Sequence, residues 1–448
     1  MTQLVLVLGL GQTGLSIARY LKRKGLAFVM CDTREAPPSL NLFRAEFPDI
    51  KCFLGDKSAV DFAQITRVIC SPGVALDSGI IQAAQAHDLL IESDIDCFAR
   101  EISVPVVAIT GTNGKSTVTV LLGEMAKAAG YTVGVAGNIG TPVLDCLLEQ
   151  AKIDIWVLEL SSFQLEITHA LKPAAAAFLN LSDDHLDRHY DMTAYCAAKQ
   201  RVYRGASNIL FNRDDKWTYP NKAELQSDVC VVSYGKNTPD TSEWGLVLDE
   251  NQSHWLAYGK QLILPIQALK IQGMHNAQNA LAALALADMI NLPMDAAVRA
   301  LKAFKGLPHR CQAVRVLDGV RWINDSKGTN VGSTESAILG LGPLITGQLI
   351  LIAGGQGKGA DFSALRTAVK AHVRVLILIG EDAELLNQAL GDGVKVVYAQ
   401  SMHEAVLFAK QYAASGDAVC LSPACASFDW FDDFNHRGDV FTQLVEAL

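Results

Sequence analysis

The sequence predicts an α/β protein of three domains, each built on a mainly parallel sheet. Three observations predict it. Strand-like apolar runs alternate with helical patterns along the whole chain, as βαβ units do. A strand runs into a glycine turn and then a helix at three separate places: residues 4–8 into Gly9, 106–109 into Gly111, and 349–352 into Gly354. The length of 448 residues, at about 150 per domain, suits three such units. The first and last units read as Rossmann-like and the central one as P-loop ATPase-like.

Composition narrows the function classes. Apolar residues make up 50% and charged residues 19%, enough for each domain to bury a core, so disorder is excluded as the main state. With 38 basic against 47 acidic residues the net charge is −9, which argues against a nucleic-acid coat or a polybasic membrane binder. The apolar N-terminus lacks a basic leader region and enters a glycine loop directly, so it reads as a first strand. No run approaches the ~18 apolar residues of a membrane span, and no membrane insertion is expected. The ten cysteines are scattered with no C-x-x-C pair, as in a reduced cytoplasmic protein with small buried thiols.

Taken in order, the first unit carries Gly9-Leu10-Gly11-Gln12-Thr13-Gly14 between a strand and a helix expected over 15–24. Such a G-x-G-x-x-G loop lets backbone N–H groups and a helix N-terminus approach a phosphate. Asp32 ends the next strand, where a ribose-binding acid would sit. NAD is the default ligand of this pattern, and any diphosphate nucleotide satisfies the same physics. A first weak point follows near 93–105.

The second unit opens with Thr110-Gly111-Thr112-Asn113-Gly114-Lys115-Ser116-Thr117 between the strand at 106–109 and a helix expected over 118–129. Its amides would cradle a nucleoside triphosphate, Lys115 would reach the β/γ-phosphates and Ser116 would ligate Mg²⁺. Ile109 stands where the strict P-loop pattern has its first glycine. The strand expected over 155–160 brings Glu159 to the mouth of the sheet, and the one over 174–179 leads into Asp183-Asp184-His185-Leu186-Asp187-Arg188-His189. His185 and His189, four apart, could share a helix face as metal ligands. From spacing alone a polar loop with capping aspartates fits better. Lys199, in a helical pattern over 193–204, reads by pattern as a solvated helix residue. Residues 229–271 are rich in short β-type runs and turns, a small β region appended to this unit, and two helical patterns over 276–290 and 295–304 close it. Lys305-Gly306-Leu307-Pro308 is the second weak point. Domains are therefore expected at 1–93, 94–305 and 306–448.

The last unit offers four polar clusters at expected strand ends: Pro308-His309-Arg310, residues 324–330, residues 354–362, and 422–429. Any one of them is more easily structural than catalytic, but together they gather where a doubly wound sheet collects ligand groups.

The phosphate loop, Glu159-Leu160-Ser161-Ser162-Phe163-Gln164-Leu165, Asp184-His185-Leu186-Asp187-Arg188-His189, His275-Asn276-Ala277-Gln278-Asn279, His309-Arg310, Asn324-Asp325-Ser326-Lys327 and 422–429 occur in the order found in Mur ligases, which the chain resembles over essentially its full length. The missing early glycine is normal in that family. The resemblance implies ATP-dependent amide-bond formation through an acyl phosphate in cytoplasmic peptidoglycan precursor synthesis. UDP-N-acetylmuramoyl-L-alanine and D-glutamate are the implied partners, ATP and two Mg²⁺ ions the implied cofactors, with no NAD, and a monomer is expected. It assigns the first domain to the UDP substrate, through Thr13, Asp32, Thr33, Arg34 and Ser71. The central domain would take ATP on Gly111, Thr112, Asn113, Gly114, Lys115, Ser116, Thr117, Asn276 and Asn279, helped by Arg310 and Asp325 of the last domain. Asn138 would line the sugar-peptide site. Lys327, Thr329, Lys358, Ser427 and Phe434 would meet the amino acid. Ser116, Glu159, His185 and Lys199, the last as a carbamate, would serve the metals, with Lys115, His185 and Lys199 catalytic. Another amino-acid ligase of the superfamily, including folylpolyglutamate synthetase, and a nucleotide-binding regulator that hydrolyses ATP without ligation are the alternatives. The glycine-loop first domain argues against the folate enzyme, whose phosphate loop lies near the start.

Overall fold

A computed structural model describes residues 4–55, 60–149, 152–271 and 273–448. Three sheets form, one after another along the chain. In the first, five parallel strands run in the spatial order Cys52–Leu54, Ala27–Asp32, Leu4–Leu8, Ile65–Cys70, Ile91–Glu92. The chain reverses its direction of travel across the sheet beside Leu4–Leu8, which puts Gly9 and Ser71 at the ends of neighbouring strands, the place where such sheets take ligands. Ser71 Oγ donates to Gly9 O at 3.0 Å and ties the two strand ends together. The helix expected over 15–24 starts earlier, at Gln12, directly out of the glycine loop.

The second sheet has nine strands, with Val106–Thr110 flanked by Ala175–Phe178 and Ile155–Glu159, and Val133–Gly137 at the edge. The β-rich stretch after residue 229 continues this same sheet. Cys230–Tyr234 pairs with Asn208–Asn212 in parallel, and Trp244–Leu248, His254–Tyr258 and Gln261–Pro265 follow, the last two joining antiparallel. Helix Met274–Met289 is Ala- and Leu-rich around its whole circumference because it is buried on most sides, packed against Lys115–Ala128 and Met294–Ala303. The third sheet runs Gln312–Leu317, Val320–Asn324, Ala418–Leu421, Leu349–Gly354, Val373–Ile379, Lys395–Tyr398, parallel except for the first hairpin.

The two junctions differ in kind. One apolar cluster spans the first and second sheets, including Val5, Ile17, Phe98 and Trp156, and Phe98 meets Trp156 edge-on at 5.0 Å. Asp145 N donates to Ser16 Oγ, and Arg19 pairs with Asp145 at 3.2 Å. The third sheet keeps separate cores and reaches the second largely through polar side chains described below. Gly306, at φ +88°, sits in the connecting strand of chain, a backbone state that glycine adopts without strain.

Candidate active site

Strand Val106–Thr110 ends in a loop that enters helix Lys115–Ala128 through Gly114 at φ +82°. A Cβ at Gly114 would lie 2.4 Å from Asn279 Oδ1, so the glycine admits Asn279 against the loop. The loop is held open from the side by Asn180. Its Oδ1 accepts from Asn113 N at 2.8 Å, its Nδ2 donates to Asn113 O at 3.0 Å, and its carbonyl accepts from Thr112 N. Lys115 Nζ donates to the carbonyls of Gly111 and Thr112.

Lys199 is not the solvated residue its pattern suggests. It is 2% exposed, and its Nζ donates to Gly111 O at 2.8 Å. Its helix, Met192–Gln200, is capped by Asp191 and turns Tyr195, Ala198 and Lys199 inward. Burial and then the neighbouring Lys115 charge hold its amine well below the usual lysine range.

Glu159 is likewise buried, at 2% exposure, where a lone carboxylate at a strand end would be solvated. Oε1 accepts from Asn138 Nδ2 at 3.1 Å, while Oε2 is buried with no hydrogen-bond partner. A buried acceptor without a donor costs free energy unless a cation takes it, and this oxygen fits a hard divalent ion. Ser116 Oγ accepts from Arg310 Nη2 at 2.6 Å, so a last-domain cation already reaches the start of the phosphate-loop helix.

The two histidines part company. The helix Leu186–His189 is a single turn, and His189 is buried, with Nε2 2.9 Å from Ser162 Oγ and its ring stacked on Phe163. His189 is thus taken up in packing between the Ser162–Glu166 and Met192–Gln200 helices, and a shared metal face with His185 does not form. His185 stays partly exposed at φ +54°, its ring edge-on to Phe163, and burial holds its imidazole below the usual range. Among the described residues no group of three or more His, Cys, Asp or Glu gathers as a metal cluster.

Between the second and third sheets lies a cavity of about 450 Å³ lined by Asn113, Gly114, Thr117, Asn276, Asn279, Arg310, Asp325 and Lys327, among others. Asn279 Nδ2 donates to Asn276 Oδ1. Asp325 accepts from Cys311 N and Ser422 Oγ, and burial pushes its carboxyl up to about 6. Lys327 Nζ stands 3.8 Å from the centroid of the Phe434 ring, and burial lowers it to about 8. Thr329 is partly buried, Ser427 is buried, and Lys358 is exposed at φ +53° yet close enough to lower His185 electrostatically. Lys115, Lys199 and Lys327 lie within electrostatic reach of both Glu159 and Asp184, and Arg310 within reach of Glu159 and Asp325.

Thr13, Asp32, Thr33, Arg34 and Ser71 collect apart from this, at the mouth of the first sheet. Asp32 differs from a free ribose-binding acid. Its oxygens accept from Leu10 N at 2.6 Å and from Arg34 N, Nε and Nη2, so it braces the glycine loop. Thr33 and Arg34 are exposed beside it.

Three residues that the pattern reading passed over organise the site. Asn180 is one. Arg437, 1% exposed, donates to Ser326 Oγ and to the carbonyls of Ser326, Cys425 and Ala426, joining the Lys327 loop to the Ser427 loop. Asn330 is the third. A buried arginine or a capping asparagine gives no periodic signal. Only the surrounding clusters at 324–330 and 422–429 hinted at them.

Comparison with known proteins fits this arrangement. Residues 3–92 match a model described as Mur ligase MurD-like, N-terminal domain, residues 109–287 the Mur ligase middle domain, and residues 309–425 the Mur ligase, glutamate ligase domain. A UDP-N-acetylmuramoylalanine–D-glutamate ligase of Legionella pneumophila is 56% identical over 445 residues, covering 99% of both chains. The protein of that name from Pseudomonas aeruginosa is 48% identical over 443 residues, covering 99% of this chain and 98% of its own. Among solved structures, a pseudomurein peptide ligase type C from Methanothermus fervidus superposes with a TM-score of 0.62 at 19% identity, over 99% of each chain. The UDP-N-acetylmuramate–alanine ligase of Thermotoga maritima gives 0.61 at 17%, again over 99% of each, a likeness of fold. The chain belongs to the Mur ligase family.

Proposed function

We propose that the chain joins D-glutamate to UDP-N-acetylmuramoyl-L-alanine in an ATP-driven ligation, a cytoplasmic step of peptidoglycan precursor synthesis. A carboxylate is a poor acyl donor, so an oxygen of the alanyl carboxylate first attacks the γ-phosphorus of ATP and ADP leaves. The D-glutamate nitrogen then attacks the acyl carbon, and phosphate departs as the amide forms and the amine gives up its protons. All three reactants are anionic, and their repulsion must be offset by fixed cations.

The observation that carries this reading is the cavity between the second and third sheets, where the phosphate-loop residues Asn113, Gly114 and Thr117 face Arg310 and Lys327 of the next domain, with Lys115 and Lys199 bonded to Gly111 of the same loop. The choice of substrates is supported by the names of relatives 46–56% identical over nearly the whole chain. In this reading Gly111, Thr112, Asn113, Gly114 and Thr117 hold the triphosphate, and Lys115 and Arg310 offset its charge. Asn276, Asn279 and Asp325 hold the nucleoside. Lys327, Thr329, Lys358, Ser427 and Phe434 orient D-glutamate. Thr13, Thr33, Arg34 and Ser71 take the UDP group in preference to NAD, with Asp32 bracing their loop, and Asn138 lines the path to the reacting carboxylate. Two Mg²⁺ ions fit the donor set of Ser116, Glu159, His185 and a carbamylated Lys199, where they would neutralise phosphate charge. The domain boundaries at 93/94 and 305/306, and a monomeric state, belong to the same reading. No described helix is long and apolar enough to cross a membrane. The test is phosphate release from ATP. It should require both the UDP-sugar peptide and the amino acid, and release with ATP alone at the full rate would favour a nucleotide hydrolase.

A further inference from the structure

Asn330 lies at the point where the last domain meets the phosphate loop, and its side chain faces two ways. It caps helix Val331–Leu341, with Oδ1 accepting from Ser333 N at 2.9 Å while its own N donates to Ser333 Oγ. That capping box fixes the rotamer of an asparagine that is 8% exposed. Its Nδ2 is thereby aimed across the domain boundary, donating to Asp184 Oδ2 at 3.1 Å and to Asn113 Oδ1 at 3.3 Å, and Asn113 Nδ2 reaches back to Asn330 Oδ1 at 3.5 Å. The same helix start approaches the second domain closely, since a Cβ at Gly332 would lie 2.8 Å from Ser182 Oγ. Ser182 N in turn donates to Thr112 Oγ1, and both backbone groups of Asn113 are bonded to Asn180. A rigid cap on one domain therefore ends in a donor held by a residue of the phosphate loop and by the carboxylate next to His185.

We propose that Asn330 is a positioning residue that transmits docking of the last domain to the phosphate loop, so that Asn113 and Asp184 take their working geometry only when that domain is closed. This rests on the ligase reading. It makes Asn330 neither a substrate ligand nor a catalytic group. Its hydrogen bonds with Asp184 and Asn113 would be broken when the domain swings away on Gly306 and remade on closure.

The chemistry of the cap supplies a selective test. Aspartate caps a helix as well as asparagine. Asn330→Asp therefore keeps the cap but removes the donor and sets a carboxylate against Asp184. The expected result is a thermal midpoint close to the parent, turnover down about tenfold or more, and KM for the UDP substrate unchanged. Adding Asp184→Asn restores a donor–acceptor pair with the roles reversed, and the double variant should exceed Asn330→Asp alone in turnover. Parent-like turnover in Asn330→Asp, a loss that merely follows a fall in thermal midpoint, or a double variant no better than Asn330→Asp would overturn the proposal. Absence of acceptor-dependent phosphate release in the parent would sink the ligase reading instead. The bridge would then be decided by small-angle scattering, where Asn330→Asp should weaken the compaction produced by an ATP analogue and Mg²⁺, and compaction equal to the parent's would overturn it.

Discussion

Lys115 and Lys199, 84 residues apart in sequence, donate to the same acceptor: both ammonium groups bond the carbonyl of Gly111, at 2.9 and 2.8 Å. Two cations on one oxygen repel, and for Lys199 burial first and the Lys115 charge second lower the amine's affinity for its proton. A lysine with a depressed pKa is a nucleophile at neutral pH. Carbon dioxide converts such an amine to a carbamate with release of one proton, which turns the repelling charge into hard oxygen donors beside Glu159.

Lys199→Ala is expected to lose most activity while keeping its fold, with partial rescue by a short carboxylic acid that supplies the missing oxygens. The direct check is the electron density at Lys199 in crystals grown with bicarbonate, Mg²⁺ and substrates. A bare amine in the closed, loaded enzyme would exclude the carbamate.

Lys115→Ala should abolish acyl-phosphate formation, because the γ-phosphoryl charge then lacks its fixed partner at the loop. Binding of the UDP substrate, measured by calorimetry, should stay near the parent value since Gly9, Ser71 and Arg34 belong to another sheet. Near-parent product formation would contradict the assignment of the loop.

The first domain should bind uridine diphosphate compounds and not NAD. Asp32 is already engaged by Leu10 and Arg34, which leaves no free carboxylate to receive a ribose diol in the NAD manner. NADH fluorescence titrated against UDP decides it, and tight NADH binding that UDP does not displace would contradict the reading.

His275 gives a pH signature of the junction between the second and third domains. Burial lowers its imidazole to about 4 from an ordinary 6.5, against a hydrogen bond with the Ser336 backbone that opposes the shift, and Nδ1 is buried without a partner. Between these values the unfolded chain binds the proton and the folded chain does not. Stability is therefore full above pH 6.5 and falls as pH drops toward 4, by at most roughly 3 kcal/mol from this group. His275→Gln should flatten the dependence of the thermal midpoint on pH over that range. An unchanged slope would show that other groups set it.

Much of the architecture was legible because its signals are local. Glycines after Leu8, Thr110 and Ala353 end buried strands and open the next segment, and apolar runs over the central strands need no distant partner to be read. Lys199 was not legible. Its helix is short, and the partner of its buried amine is Gly111, 88 residues earlier in the chain. His189 has a four-residue spacing from His185 that would also suit a metal pair, and Ser162 and Phe163 from another helix claim it instead. Arg437 and Asn330 act through backbone carbonyls and a helix cap across long separations, and neither role leaves a mark in residue periodicity. The resemblance to a family supplied Lys199 where pattern alone assigned it to solvent.

The central claim is tested most directly by one assay, phosphate release from ATP and UDP-N-acetylmuramoyl-L-alanine across a panel of amino acids. The ligase account predicts release with D-glutamate and little with L-glutamate, L-alanine, lysine or diaminopimelate. Equal release without any amino acid, or a clear preference for another amino acid, would contradict it.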